Sequence, residues 1–156
     1  MSEPRIDSAG VKIPPPLVFA IPLIAGLIIG RWFPLVSLPA LAARVAGSIL
    51  VAAGLGFGGW ARIIFLRRGT TVLPFRPSSV FVVGGPFRLS RNPIYVGMTA
   101  IYVGVALLCR SLWPLLFLPF VLILIRKTAI DPEEAYLERR FGAEYLNYKA
   151  RVRRWL

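Results

Sequence analysis

The sequence predicts an all-α, polytopic membrane bundle of about four transmembrane helices, including a helical hairpin, followed by amphipathic helices at the C-terminus. Over 156 residues, 56% are hydrophobic and the mean hydropathy is +0.68, which is too apolar for a soluble domain of this size. The apolar runs approach the roughly 20 residues that a helix needs to cross a bilayer. The basic residues collect between and after these runs, which indicates membrane-flanking segments.

The chain divides into a short tail and one domain. Residues 1 to 16 mix both charge signs and end in three prolines, so we predict a flexible tail rather than a cleavable signal. Residues 17 to 156 form the predicted domain, with spans at about 17–33, 41–66, 93–108 and 112–125. In the second span, Ala43/Gly47 and Gly54/Gly58 lie four apart, a spacing that lets another helix approach closely.

The third and fourth spans are joined by only Cys109, Arg110 and Ser111, which favours an antiparallel hairpin. Of the 19 Lys and Arg residues, six fall in residues 62–91 and eight in 126–156. With four crossings, these basic segments lie on one side. The positive-inside rule then predicts that both termini and the loop 67–92 are cytosolic. Pro74, Pro77 and Pro86 predict that this loop is extended and turned rather than helical.

After the fourth span, the sequence Asp131-Pro132-Glu133-Glu134 is typical of a helix start, with Asp131 as N-cap and Glu134 completing a capping box. Gly142 is expected to divide two short helices within residues 132–154. The second helix has apolar and positive faces, which predicts that it lies on the membrane or caps the bundle.

Composition also limits the chemistry. Cys109 is the single cysteine, so no intrachain disulfide can form, and no metal site is indicated. Histidine is absent, which removes the usual general base near neutral pH. The net charge of +12 lies beside apolar spans, which favours anionic lipid headgroups over nucleic acid as the partner. The oligomeric state is left open.

Two ordered motifs flank the hairpin. The first, residues 85–97, reads GPFRLSRNPIYVG. The second comprises residues 133–137, EEAYL, and residues 141–148, FGAEYLNY. Together they resemble the membrane methyltransferase superfamily that includes isoprenylcysteine carboxyl methyltransferases and phospholipid N-methyltransferases, over roughly residues 69 to 154. The carboxyl methyltransferases usually have His where this chain has Asn92, whereas the C-terminal motif differs from that of the phospholipid enzymes.

This resemblance implies S-adenosylmethionine as methyl donor, bound between the hairpin and the C-terminal helices. It implies an amphiphilic or lipid-linked acceptor, and carboxyl O-methylation of an isoprenylcysteine-like substrate is the first expectation, with phospholipid amine N-methylation as the alternative. Arg91, Glu134 and Arg151 are the implied catalytic residues, the two arginines orienting an acidic acceptor. The implied cofactor-binding residues are Asn92, Pro93, Tyr95, Gly97, Glu133, Glu134 and Tyr145.

Purely structural roles remain open for several of these residues. Asn92 before Pro93 makes a good N-cap, the two glutamates fit a helix start, and Tyr145 and Tyr148 are typical interfacial anchors. In favour of a site, Tyr95, Thr99 and Tyr102 share one face of the third span, where their polar groups need partners that a cofactor cleft could supply.

Two other classes of protein also remain open. Membrane reductases with a related C-terminal architecture use NADPH to reduce lipid double bonds, although the chain has no Gly-x-Gly-x-x-Gly signature. The non-enzymatic alternative is a small lipid-binding membrane protein.

Overall fold

The computed structural model describes residues 13–35, 38–67 and 82–156, and these residues form helices and connecting turns without a strand. The predicted tail up to residue 12 and the part of the predicted extended loop that contains Pro74 and Pro77 lie outside the described residues. Six α-helices follow one another: α1 (Pro15–Trp32), α2 (Ala40–Arg67), α3 (Pro93–Leu108), α4 (Trp113–Ile125), α5 (Asp131–Phe141) and α6 (Ala143–Arg151).

The apolar helices confirm a membrane protein. Within the described ranges, three helical stretches are long and apolar enough to cross a bilayer: Pro15–Trp32, Ala40–Arg67 and Trp113–Phe141. Helix α3 has 16 residues, or about 24 Å at 1.5 Å per residue, and is shorter than the roughly 30 Å hydrocarbon core. Helix α1 begins at Pro15, inside the predicted tail, since proline fits the first turn of a helix.

The second and third helices pack together through glycine. A methyl group on Gly54 would lie 2.6 Å from the carbonyl oxygen of Gly97, and one on Gly47 would lie 2.8 Å from that of Gly104. These pairings run in opposite directions along the two helices, so α2 and α3 are antiparallel. We call these four residues the glycine interface. The predicted role of Gly47 and Gly54 in close helix approach is confirmed.

Helix α4 packs mainly on α1, where Gly26 lies against the backbone of Pro114. The side chains of α1, α3 and α4 meet in a buried cluster that includes Phe19, Tyr102, Val121 and Ile125. This arrangement places the ends of α3 and α4 that are remote from the hairpin turn side by side, and it is there that the C-terminal helices begin.

The predicted helix start at Asp131 is wrong. The backbone of Asp131 is helical, and a π-helical segment, Arg126–Ile130, joins α4 to α5 in one continuous helix. Pro132 explains the irregularity, because its ring would clash with the carbonyl four residues earlier and it has no N–H to donate. A π turn just before it is where a helix absorbs such a distortion.

The break at Gly142 is confirmed: its φ of 49° separates α5 from α6. Helix α6 ends at Arg151, earlier than the predicted residue 154, and Val152 is extended. Residues 152–156 therefore leave the helix, and we call them the C-terminal strap. The strap runs back to the start of α3, where the backbone N–H of Arg91 donates to the carbonyl of Arg153 over 2.9 Å.

Candidate functional site

The two sequence motifs meet at the first turn of α3. The hydroxyl of Tyr95 donates a hydrogen bond of 2.8 Å to Oε1 of Glu133 on α5. Tyr95 is buried and Glu133 is half-buried, so the contact lies inside the fold rather than on its surface. The structure therefore joins the motif before the hairpin to the motif after it. We call this end of the bundle the polar end.

Next to this contact, Glu134 is enclosed by arginines. Arg154 donates from Nε to Oε1 over 3.1 Å and from its terminal nitrogen Nη2 to Oε2 over 2.7 Å, a two-pronged pair. Nη2 of Arg91 lies 3.5 Å from Oε1 of the same carboxylate. Glu134 therefore has no capping role: its carboxylate is buried in an ion-pair cluster, and this contact raises the pKa of Arg154.

The cluster extends to Asp131. Its carboxylate lies 3.2 Å from Arg154 and 3.5 Å from Arg126, so Arg154 bridges two acidic residues one helical turn apart. Because α5 continues the long helix through the π turn, Asp131 and Glu134 stay on one face beside the strap.

Arg91 is only partly satisfied. Its side chain is 9% exposed, yet Nε and Nη1 have no hydrogen-bond partner among the residues that the structure describes. Buried donors of a charged group are costly to leave unpaired, so such atoms mark a place where a further polar group fits. The hydroxyl of Tyr136 is a second buried group without such a partner in the same described ranges.

Asn92 occupies the N-cap position of α3, but its side chain makes no capping hydrogen bond. Its side-chain Nδ2 donates instead to the carbonyl of Arg154 over 3.1 Å, and its backbone N–H donates to Oγ of Ser90 over 3.0 Å. The hydroxyl of Ser90 in turn donates to the same Arg154 carbonyl over 3.2 Å. The predicted N-cap position of Asn92 and first-turn position of Pro93 are therefore confirmed, while the side chain of Asn92 binds the strap instead of capping the helix.

Tyr145 and Tyr148 are buried in the protein and are not interfacial anchors. Their rings lie 6.1 Å apart, and the hydroxyl of Tyr148 donates to the carbonyl of Phe87 over 2.7 Å. Burial raises the pKa of both phenols, that of Tyr148 to about 12, so Tyr148 remains a hydrogen-bond donor near neutral pH. These contacts dock α6 on the segment that leads into α3.

Two residues of the predicted site lie elsewhere. Arg151 is exposed, and its Nε donates to the carbonyl of Asn147 in its own helix. Gly97 faces α2, where a methyl group would lie 2.7 Å from the carbonyl of Gly54. On the predicted polar face of α3, two hydroxyl groups already have partners within the protein. Thr99 donates a hydrogen bond to the carbonyl of Tyr95, and Tyr102 donates one to the carbonyl of Pro114.

Comparison with known families supplies the biochemical class. The model of a family described as phospholipid methyltransferase matches residues 42–144, about two thirds of the chain. The chain belongs to this family. The match contains both glutamates and the start of α3, and it ends before the C-terminal strap.

Similarity to individual proteins is more limited. An uncharacterized protein of Haemophilus influenzae is 54% identical over 37 residues, which are 24% of this chain and 57% of that protein. The match thus spans little more than half of that relative. No solved structure is similar to the chain.

Sequence reasoning missed Arg154 and Ser90. In the sequence, Arg154 is one of several positive charges near the C-terminus. Its partner Glu134 lies 20 residues earlier. No local spacing marks such a pair. The available signal was the excess of acidic residues at the start of α5, which needs a compensating cation once buried.

Proposed function

We propose that this chain is an integral membrane, S-adenosylmethionine-dependent methyltransferase that acts on a lipophilic or lipid-linked acceptor. The hydrogen bond between Tyr95 and Glu133 carries the proposal, because it brings the two motifs shared with methyltransferases into one site. The family match supports the same reaction class. The site and both termini face the cytosol in this proposal, as the positive-inside rule favours.

The residues present suit this cofactor. Glu133 and Glu134 offer carboxylates for its cationic groups, while Asn92, Pro93 and Tyr95 form the adjoining wall at the start of α3. Tyr145, which is buried on α6, completes the proposed set of cofactor-binding residues. The bound cofactor supplies a methyl group already activated on a sulfonium, so the protein has to align donor and acceptor and exclude water. A site without histidine is adequate for that task.

Arg91 supports an acidic acceptor. Its buried Nε and Nη1 have no partner in the described structure, and a guanidinium donor forms a strong, charge-assisted hydrogen bond to a carboxylate oxygen. A carboxylate can accept a methyl group without first losing a proton to a base. Carboxyl O-methylation of an isoprenylcysteine-like acceptor is therefore our first choice, with Arg91 rather than the exposed Arg151 in the orienting role.

Phospholipid amine N-methylation is the second candidate. The matching family is described as phospholipid methyltransferase, and the phosphate of a phospholipid headgroup could also pair with Arg91. An ammonium acceptor must lose a proton before it reacts. The two candidates therefore predict different labelled products from the same reaction.

A labelling experiment tests the proposal. Purified protein is incubated with methyl-labelled S-adenosylmethionine and a total membrane extract, and the labelled lipid is isolated. Label in a base-labile ester indicates carboxyl methylation, whereas label in headgroup amines indicates the phospholipid reaction. Glu133→Gln is expected to reduce labelling strongly when S-adenosylmethionine is below its dissociation constant. Glu144→Gln is the matched control on the exposed face of α6 and is expected to label as wild type.

A ligand-stability experiment separates the remaining classes. A ligand that binds the folded state raises the melting temperature in detergent. S-adenosylhomocysteine should raise it and NADPH should not. Stabilisation by NADPH alone would favour a reductase, and stabilisation by neither ligand would favour a non-catalytic lipid-binding protein.

A further inference from the structure

The C-terminal strap binds side chains that, in the proposed function, bind the cofactor. The guanidinium of Arg154 holds Glu134 through both carboxylate oxygens, and the backbone carbonyl of Arg154 accepts hydrogen bonds from Asn92 and Ser90. Arg154 therefore supplies both a cation for Glu134 and a hydrogen-bond acceptor for Asn92 and Ser90. A cofactor that uses Asn92 and Glu134 has to take the place of Arg154.

Replacement of Arg154 by the cofactor would keep the net charge of the polar end unchanged. The polar end carries three carboxylates, on Asp131, Glu133 and Glu134, and two of these are ion-paired with three guanidinium groups, on Arg91, Arg126 and Arg154. Removal of Arg154 takes one positive charge away from its two ion-pair partners, Asp131 and Glu134. S-adenosylmethionine carries a sulfonium and an ammonium against a single carboxylate, and thus restores the positive charge that Arg154 withdraws.

The strap is held by polar contacts near the surface and by one partly buried tryptophan. Arg154 is 24% exposed along its side chain, and the backbone of the strap is held by the Arg91 N–H at its Arg153 carbonyl. Trp155 packs against the apolar cluster of α1, α3 and α4 from a partly buried position. When Arg154 leaves, Glu134 keeps Arg91 as an ionic partner, so the buried carboxylate is never left alone.

We propose that the C-terminal strap is an autoinhibitory plug, in which Arg154 stands in for the cofactor's positive charge and must leave Glu134 before S-adenosylmethionine binds. This rests on the proposed function. The strap lies beyond residues 42–144, the region matched by the family model. Apparent cofactor affinity is then reduced by the fraction of molecules in which the strap is bound.

The test measures binding of S-adenosylmethionine and S-adenosylhomocysteine to detergent-purified full-length protein. Arg154→Gln removes the competing charge, and if the closed form outweighs the open form about ten to one, binding of S-adenosylmethionine tightens about tenfold. Loss of the closed form tightens binding of S-adenosylhomocysteine by the same factor, so any further gain for S-adenosylmethionine measures the positive charge that its sulfonium supplies. Arg154→Lys stays close to wild type because it keeps the charge. Arg153→Gln, with an exposed side chain in the same strap, is the matched control and leaves both affinities unchanged.

A second measurement uses wild-type protein and does not depend on any variant folding. Hydrogen exchange in residues 152–156 should become faster when S-adenosylmethionine is added, because the strap is displaced. Unchanged or slower exchange, or weaker or unchanged S-adenosylmethionine binding by Arg154→Gln, overturns the plug while leaving the proposed function standing. Absence of binding of either compound to wild type and to Arg154→Gln overturns the proposed function, and the plug with it.

Discussion

The glycine interface and the polar end hold the same helix, α3, by opposite physical means. At the glycine interface, the backbones of α2 and α3 come so close that no side chain fits between them, and the contact needs no polar partner. At the polar end, α3 meets α5 and the strap through a phenol, an amide and buried ions. The first contact fixes the position of α3, and the second places chemical groups around its first turn.

The two contacts differ in how much change they tolerate. Close backbone packing has one arrangement, since any shift produces a clash. An ion-pair cluster can exchange one cation for another of similar charge, provided that each buried carboxylate keeps a partner. Substitutions should therefore cost most stability at the glycine interface and least at the exposed edge of the polar end.

The largest effect is expected at the glycine interface. Gly54→Ala places a methyl group 2.6 Å from the carbonyl oxygen of Gly97, where the backbone has to move, and should destabilise the protein by about 3 kcal/mol. Gly59→Ala on the same helix meets no atom within 4 Å and should stay within about 1 kcal/mol of wild type. Unfolding titrations in detergent measure both, and equal stability of the two variants would contradict the packing.

Glu134→Gln comes next. The neutral side chain keeps its shape but leaves Arg91 and Arg154 without the charge that they share, which should cost about 2 kcal/mol because the site is buried. Methyl transfer should be lost as well. The same unfolding titration and the labelling reaction measure the two effects, and a variant with wild-type stability and labelling would refute the placement of the site.

Tyr148→Phe should have a smaller effect, of about 1 kcal/mol, because it removes one buried hydrogen bond and keeps the ring. The carbonyl of Phe87 loses its donor, so the docking of α6 weakens. Thermal unfolding in detergent, with Leu146→Ala on the exposed side of α6 as control, measures the difference. A drop no larger than that of the control would mean that this bond does not hold α6 in place.

The smallest effect is expected at the outer edge of the polar end. Lys149 pairs with Glu138 where both side chains are more than one third exposed, and solvent screens such pairs. Lys149→Gln should change stability by less than about 0.5 kcal/mol and should leave methyl transfer unchanged. High salt should reduce even this effect. A loss comparable to that of Glu134→Gln would show that the ion cluster extends farther than its buried members.

The sequence was a good guide to the apolar part of the fold. Hydrophobic runs located the helices because membrane burial depends on composition over long windows, and the four-residue spacing of Gly54 and Gly58 marked a close helix contact. The count of four crossings remains a prediction, since α3 is short. The break at Gly142 followed from a strong local signal.

The polar end was predicted only in part. Family motifs indicated that Tyr95 and Glu133 lie together, but Asp131-Pro132 carries the local pattern of a helix start, and only packing decides that α4 continues through a π turn. Arg151 and Arg154 both belong to the same basic segment of the sequence. The end of α6 at Arg151 decides which of the two reaches Glu134, and that depends on contacts distant in the chain.

The most direct test of the account is equilibrium binding of S-adenosylmethionine to wild type, Glu133→Gln and Glu144→Gln in detergent. We expect wild type and Glu144→Gln to bind alike, and Glu133→Gln to bind about tenfold more weakly, the loss of about 1.4 kcal/mol that a hydrogen bond to a charged group provides. Equal binding by all three proteins would contradict a cofactor site between Tyr95 and the two glutamates.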